Sequence, residues 1–194
     1  MRSRKALGIV GLLSLIALNG CGPPDVQYGP ATAANAATKS SVGLSVSDDR
    51  SSEHGRGAAQ IGQVRGGFGI PQGVDDKKPD VIVKTVTDAT TDALHKSAVG
   101  VQSGGPKKLV AKVKEFWFDG FMGFQATVTV AYQLTDATGK ELWKAEVTGK
   151  AGDSMMNSSA KEVAETLLPK ALADMATHAS EQFNTPAFQQ ALAM

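Results

Sequence analysis

The chain is poor in the residues that most often carry chemistry. Its 194 residues include one cysteine, three histidines, two tryptophans and two tyrosines. A single cysteine excludes an intramolecular disulfide framework and a thiolate zinc site. Three scattered histidines argue against a multi-histidine metal cage, so no metal and no cofactor is expected. So few Trp and Tyr supply no stacking platform for bases or sugars. Neither sign of charge dominates: 20 Lys and Arg face 19 Asp and Glu, a net charge of +1. That balance provides no basic field for nucleic acid. No apolar run reaches the roughly 20 residues that a membrane-spanning helix needs. The 42% hydrophobic and 20% charged content is that of an ordinary folded domain.

What is there begins at the N-terminus. Arg2, Arg4 and Lys5 precede an almost wholly apolar stretch from Ala6 to Leu18. A cationic start and a short apolar core read as a secretory signal. The stretch ends in Leu18-Asn19-Gly20-Cys21, which resembles the bacterial lipobox, with Leu three residues before the Cys and a small residue just before it. The resemblance implies a lipoprotein signal peptide over residues 1–20 and cleavage before Cys21. The Cys21 thiol then accepts a diacylglyceryl group and the new amine is acylated. Several acyl chains anchor stably where one binds marginally, so the membrane partner is reached through Cys21. The rival is a plain secretory signal with an incidental cysteine. Loss of Arg2, Arg4 and Lys5 turns the net charge from +1 to −2, which favours no peripheral binding to anionic headgroups. Gly22 does not match the Asp that resembles an inner-membrane retention signal. The expected place is therefore the inner leaflet of the outer membrane, facing the periplasm.

Residues 21–40 follow as lipidated Cys and flexible tether, being Gly, Pro, Ala, Thr, Asn and Ser with almost no large apolar residue. Residues 41–194 have the length of one domain with a proper core. Val42, Leu44 and Val46 alternate with small polar residues and predict a half-buried strand. A short strand around Gln60–Arg65 is a weaker expectation inside a long loop over residues 51–76. Pro79 and Asp80 open a helix with Ile82, Val86, Ala89, Ala93 and Leu94 in one stripe, Asp88, Asp92 and Lys96 mostly off it, and Gly100 as its stop. The run Val81–Val86 read alone also suits a strand.

Residues 108–118 alternate again, with Leu109, Ala111, Val113 and Trp117 on one face. The clearest strand puts Phe124, Ala126, Val128, Val130, Tyr132 and Leu134 inward. Asp136 to Lys140 predicts a hairpin in which Gly139 takes positive φ, and the return strand carries Trp143, Ala145 and Val147. Ser159-Ala160-Lys161-Glu162 reads as a capping box. A final helix follows, with a kink or break expected at Pro169, then a short last turn around Phe188 and Leu192. The pattern predicts an α+β two-layer domain, an antiparallel-rich sheet of about four strands with two main helices on one face.

Motifs for catalysis are missing. Gly55-Arg56-Gly57 opens like a dinucleotide fingerprint, but Gln60 stands where the third glycine belongs. There is no phosphate loop and no Gly-x-Ser-x-Gly elbow. Asp48, Asp49, Arg50, Glu53, His54 and Arg56 are the one crowded polar cluster, either a small ligand or acid–base site or a solvated loop of local ion pairs. His95 and His178 read as structural or surface residues. Phe116, Trp117, Phe118, Phe121, Met122 and Phe124 are dense around two glycines, and read as core filling or as a rim for a protein partner.

Taken in order, the lipobox, Val46-Ser47-Asp48-Asp49-Arg50 after a first strand, Ile61-Gly62, Arg65-Gly66, Asp88-Ala89, Ala93-Leu94 and the Asp136–Gly139 hairpin resemble the YajG-like family of bacterial envelope lipoproteins. The resemblance implies an α+β envelope lipoprotein without assigned catalysis. The expected function is non-enzymatic: protein–protein contact, or service as an accessory of an envelope assembly. A ligand-binding module for a lipid, glycan or peptide is the alternative. The candidate positions are Cys21 for lipidation and Asp48, Arg50, Trp117, Phe121 and Met122 for contact or binding.

Overall fold

The computed structural model describes residues 24–29, 38–50, 59–65, 70–76, 80–120, 123–154 and 159–194. Ten elements run along the chain: β1 (Ser40–Asp48), β2 (Gln60–Arg65), β3 (Pro71–Asp75), α1 (Asp80–Lys96), β4 (Val99–Val101), β5 (Lys107–Gly120), β6 (Phe124–Asp136), β7 (Glu141–Asp153), α2 (Ala160–Phe183) and α3 (Pro186–Ala193). The class is α+β in two layers, as the alternation predicts, but the sheet has seven strands rather than about four. It is also mixed. β1 pairs parallel with both β4 and β5, and β2 pairs parallel with β5. Only β2–β3, β5–β6 and β6–β7 are antiparallel. β3 escapes sequence reading because most of it is exposed, and β4 because three residues hold no period.

β5 is the spine. One of its edges is taken by β6 along the whole length. The other is shared end to end: β1 pairs from Lys108 to Val113, and β2 takes over from Phe118 to Gly120. A register shift between Val113 and Glu115 adds a residue to β5 relative to β6. A bulge reverses the inside–outside phase of every later residue. Leu109, Ala111 and Val113 face the core before it, and Phe116 and Phe118 after it. Trp117 therefore leaves the face on which simple alternation places it. It lies opposite Thr127 on the other side of the sheet, still only 8% exposed.

The helices cover one face. Thr90 of α1, Tyr132 of β6 and Met175 of α2 meet in the interior, with the Tyr132 hydroxyl 3.0 Å from Thr90 Oγ1 and donating to Met175 Sδ at 3.2 Å. Phe183 packs edge-on to Tyr132, and Phe188 of α3 edge-on to Trp143 of β7. The expected capping box is present: Ser159 Oγ accepts from the Glu162 amide and Glu162 Oε2 from the Ser159 amide. Gly139 has φ of +86°, as the hairpin demands. Pro169 does not split α2, because Leu167, Leu168, Ala171 and Leu172 on both sides of it are buried against the sheet. That packing outweighs the roughly 3 kcal/mol that an internal proline costs a helix. α1 stops at Lys96, before the expected Gly100. Ala98 takes the left-handed turn at φ of 58°, and Gly100 lies within β4. The last turn at Phe188 is a full short helix, α3, opened by Thr185 and Pro186.

α2 crosses β7 at a glycine. A Cβ on Gly149 would lie 2.2 Å from both the Ala171 carbonyl oxygen and the Met175 amide nitrogen. These are backbone atoms of the helix, so no side-chain rotation relieves the clash. Gly149→Ala is expected to lower unfolding free energy by at least about 2 kcal/mol, read from urea midpoints. Gly152→Ala, whose Cβ meets nothing closer than 3.5 Å, serves as the neutral control.

Both tyrosines of the chain are held neutral. Burial pushes the Tyr132 phenol above its ordinary range despite the opposing Thr90 contact. Tyr28 is raised by burial first, then by its hydrogen bond to, and the charge of, Asp92. Above about pH 10 the unfolded chain releases phenolic protons that the native protein keeps. Stability is thus complete below that pH and declines as pH rises beyond it. Phenolate absorbance should appear only together with loss of the far-ultraviolet helix signal. Ionisation of both tyrosines at pH 11 by a protein with intact helices would contradict the full burial of Tyr132.

Candidate functional site

Asp48 and Arg50 are brought together, and what they join is backbone. Arg50 Nε and Nη2 each donate to one oxygen of Asp48 at 2.9 Å. Nη1 donates to the Gln60 carbonyl at 2.8 Å and to the Phe116 carbonyl at 3.4 Å. The Arg50 side chain is 11% exposed and that of Asp48 27%. The guanidinium occupies the gap on the edge of β5 between the end of β1 at Val113 and the start of β2 at Phe118. Asp49 continues the seam, its amide donating to the Val113 carbonyl at 3.0 Å. A planar fork with five donors suits this place, because three acceptors on three strands converge there.

The sequence alone leaves Asp48 and Arg50 open between a ligand site and local ion pairs. The geometry describes a splint. Asp48→Ala and Arg50→Ala should each lower stability by about 1–3 kcal/mol, because each strands hydrogen-bonding groups at a strand junction. Lys114→Ala, which removes only the exposed pair with Asp49, should change it by less than about 1 kcal/mol. Denaturant melts of the three variants check the ranking. An unaltered midpoint for Arg50→Ala would remove the splint.

Of the other candidates, Trp117 is placed away from Asp48 in the chain but flanks the same junction, on the outer face beyond the bulge. Cys21, Phe121 and Met122 lie outside the described residues, as do Glu53, His54 and Arg56. The cluster at 48–56 is therefore seen only through Asp48, Asp49 and Arg50. His178 Nδ1 is 3.0 Å from the Thr148 carbonyl, and Asp174 Oδ2 accepts from the Lys150 amide at 2.8 Å. Both α2 side chains close outward-pointing groups of the edge strand β7, a standard guard against edge pairing. Among the described residues no group of three His, Cys, Asp or Glu is placed to hold a metal.

One feature escaped sequence reading. Pro24–Gly29, inside the stretch read as tether, lies against the helices. Pro24 and Val26 are buried, Val26 within the main core. The Asp25 amide donates to Glu165 Oε1 of α2 at 2.8 Å. The Tyr28 hydroxyl donates to Asp92 Oδ2 of α1 at 2.7 Å, where Lys96 Nζ also arrives at 2.8 Å. Asp92 is only 3% exposed, although its helical position sets it off the apolar stripe. The signal was present: Val26 and Tyr28 are the exceptions in a segment otherwise of small residues.

The architecture is a mixed sheet with helices on one face and both long helices running alongside it. No protein-family model matches the chain, and no curated protein matches it in sequence. Among solved structures, the fold resembles that of a Xanthomonas campestris protein of family DUF330, at a TM-score of 0.56 and 18% identity over 88% of this chain and 96% of that one. A minor lipoprotein of Acinetobacter baumannii matches at a TM-score of 0.44 and 14% identity, covering 74% and 91% of the two chains. A protein of Caulobacter crescentus CB15 described as a lipoprotein matches at 0.40 and 17%, covering 56% and 82%. The first likeness is one of fold. Among the described residues no helix is long and apolar enough to cross a membrane.

Proposed function

We propose that this protein is a lipid-anchored envelope lipoprotein of the YajG-like kind, acting through protein contact rather than catalysis. The observation that carries the reading is the position of the only cysteine, immediately after a cationic and apolar leader and at the end of Leu18-Asn19-Gly20-Cys21. Acylation there tethers a folded α+β body without any spanning helix. Gly22 directs it to the inner leaflet of the outer membrane, with the domain in the periplasm. The role of Asp48 and Arg50 in bracing three strands supports a non-catalytic reading, since their donors and acceptors are spent on backbone and on each other. Accessory service in an envelope assembly fits a domain whose second sheet face carries no helix among the described residues and whose long edge strand is partly guarded.

Cys21→Ser should abolish membrane fractionation while the domain still folds, and the mature wild-type protein should begin at an acylated Cys21 by mass spectrometry. Recovery of the Ser variant in the membrane pellet would overturn the anchor.

A further inference from the structure

We propose that Pro24–Gly29 is a strap that holds the anchored N-terminus against the helix layer, so that the surface around the first turns of α1 and α2 lies against a lipid bilayer. The inference rests on the acylation of Cys21 proposed above and goes beyond it, because an anchor alone leaves the orientation of the domain open.

A loose tether from residue 21 to residue 40 would span roughly 25 Å as a random coil, enough to let the domain tumble. The docked segment shortens that leash. Only three peptide steps separate Cys21 from the buried Pro24, and three residues extend at most about 11 Å. The domain is about 20 Å thick through its helix and sheet layers. An 11 Å leash leaving the helix side cannot bring the opposite sheet face to the bilayer.

The strap is fixed at several independent points. Val26 is part of the core. The backbone at Asp25 is held by Glu165 on α2, and Tyr28 is held by the buried carboxylate of Asp92 on α1. Lys96 supplies the balancing charge to that carboxylate. Val81, Lys84 and Thr85 line the groove beside it. The Asp25–Glu165 bond and the groove at Val81 and Lys84 place the point where the chain leaves toward Cys21 near the first turns of both long helices, while Tyr28 reaches on along α1 to Asp92. The sheet face bearing Lys112 and Trp117 is then turned away from the lipid, toward the periplasm.

The test uses the full acylated protein in phosphatidylethanolamine and phosphatidylglycerol vesicles that carry a headgroup-attached quencher. A fluorophore is placed on Lys84→Cys or on Lys112→Cys; the thioether at Cys21 leaves the new thiol as the one that reacts. Quenching at position 84 should exceed that at position 112 several-fold. Inserting about 12 Gly and Ser residues between Gly22 and Pro23, which lengthens the leash by roughly 20 Å without touching the strap, should bring the two positions to parity. Val26→Asp combined with Tyr28→Phe should do the same by releasing the strap. Equal quenching in the unextended protein while it floats with the vesicles would overturn the strap and leave the lipoprotein reading intact. Failure to float at all would overturn the acylation, and the proposal with it.

Discussion

The domain depends on how the two edges of β5 are filled. One edge is satisfied by a single long partner. The other is met by two short strands, β1 and β2, with a stretch between them where the bulged backbone of β5 has no ladder partner from either. Unpaired backbone groups within a fold are costly unless some donor or acceptor reaches them. The Arg50 guanidinium does so, oriented by the Asp48 carboxylate and bonded to carbonyls of β2 and β5. The bulge and the splint are parts of one solution. The extra residue in β5 turns Phe116 and Phe118 inward, and the Phe118 ring then covers Gly62, where a Cβ would lie 2.2 Å from it. A small residue at the start of β2 and an aromatic on β5 are thus matched across the junction.

The helix layer is built on a similar economy of space. Gly149 lets α2 come down onto the backbone of β7, and the burial gained along α2 holds Pro169 within a continuous helix. α1 is tied to α2 in two ways: Ser97 Oγ donates to the Ser180 carbonyl just past the end of α1, and the Pro24–Gly29 segment bridges the pair from Glu165, in the second turn of α2, to Asp92, in the last two turns of α1. The Asp92 carboxylate shows why that bridge matters. A carboxylate so deeply buried needs paired charge and hydrogen bonds, and two of its partners are Tyr28 and Lys96. Both of these partners meet Oδ2, so the N-terminal segment supplies one of the two contacts that hold that oxygen in the interior.

These features bear on the proposed function in one direction. Asp48 and Arg50, two of the polar candidates, are engaged with each other and with strand backbone. Beyond the bulge Trp117 lies on the sheet face away from the helices, where simple alternation does not place it, and is itself buried there. Held by its helix side as proposed, the domain would turn the opposite sheet face away from the bilayer.

The strongly periodic elements were legible in the chain: β6 and β7 with their hairpin, the striped helix α1, the capped helix α2, and the Asp48–Arg50 pair as a place of interest. Their signals are local, set by which residues alternate, cap or turn within a few positions. β3 and β4 were not legible, since one is mostly exposed and the other too short for any period. The role of Asp48 and Arg50, the side on which Trp117 lies, the need for Gly149 and the docking of Val26 and Tyr28 were decided only in three dimensions. Each depends on a partner distant in the chain, a carbonyl on another strand, a bulge defined by the neighbouring strand, a helix backbone or a buried carboxylate. The sequence by itself determined the class of fold, because alternation, stripes and caps are local; the tertiary structure decided register, faces and bracing, because those arise from contacts that no local pattern encodes.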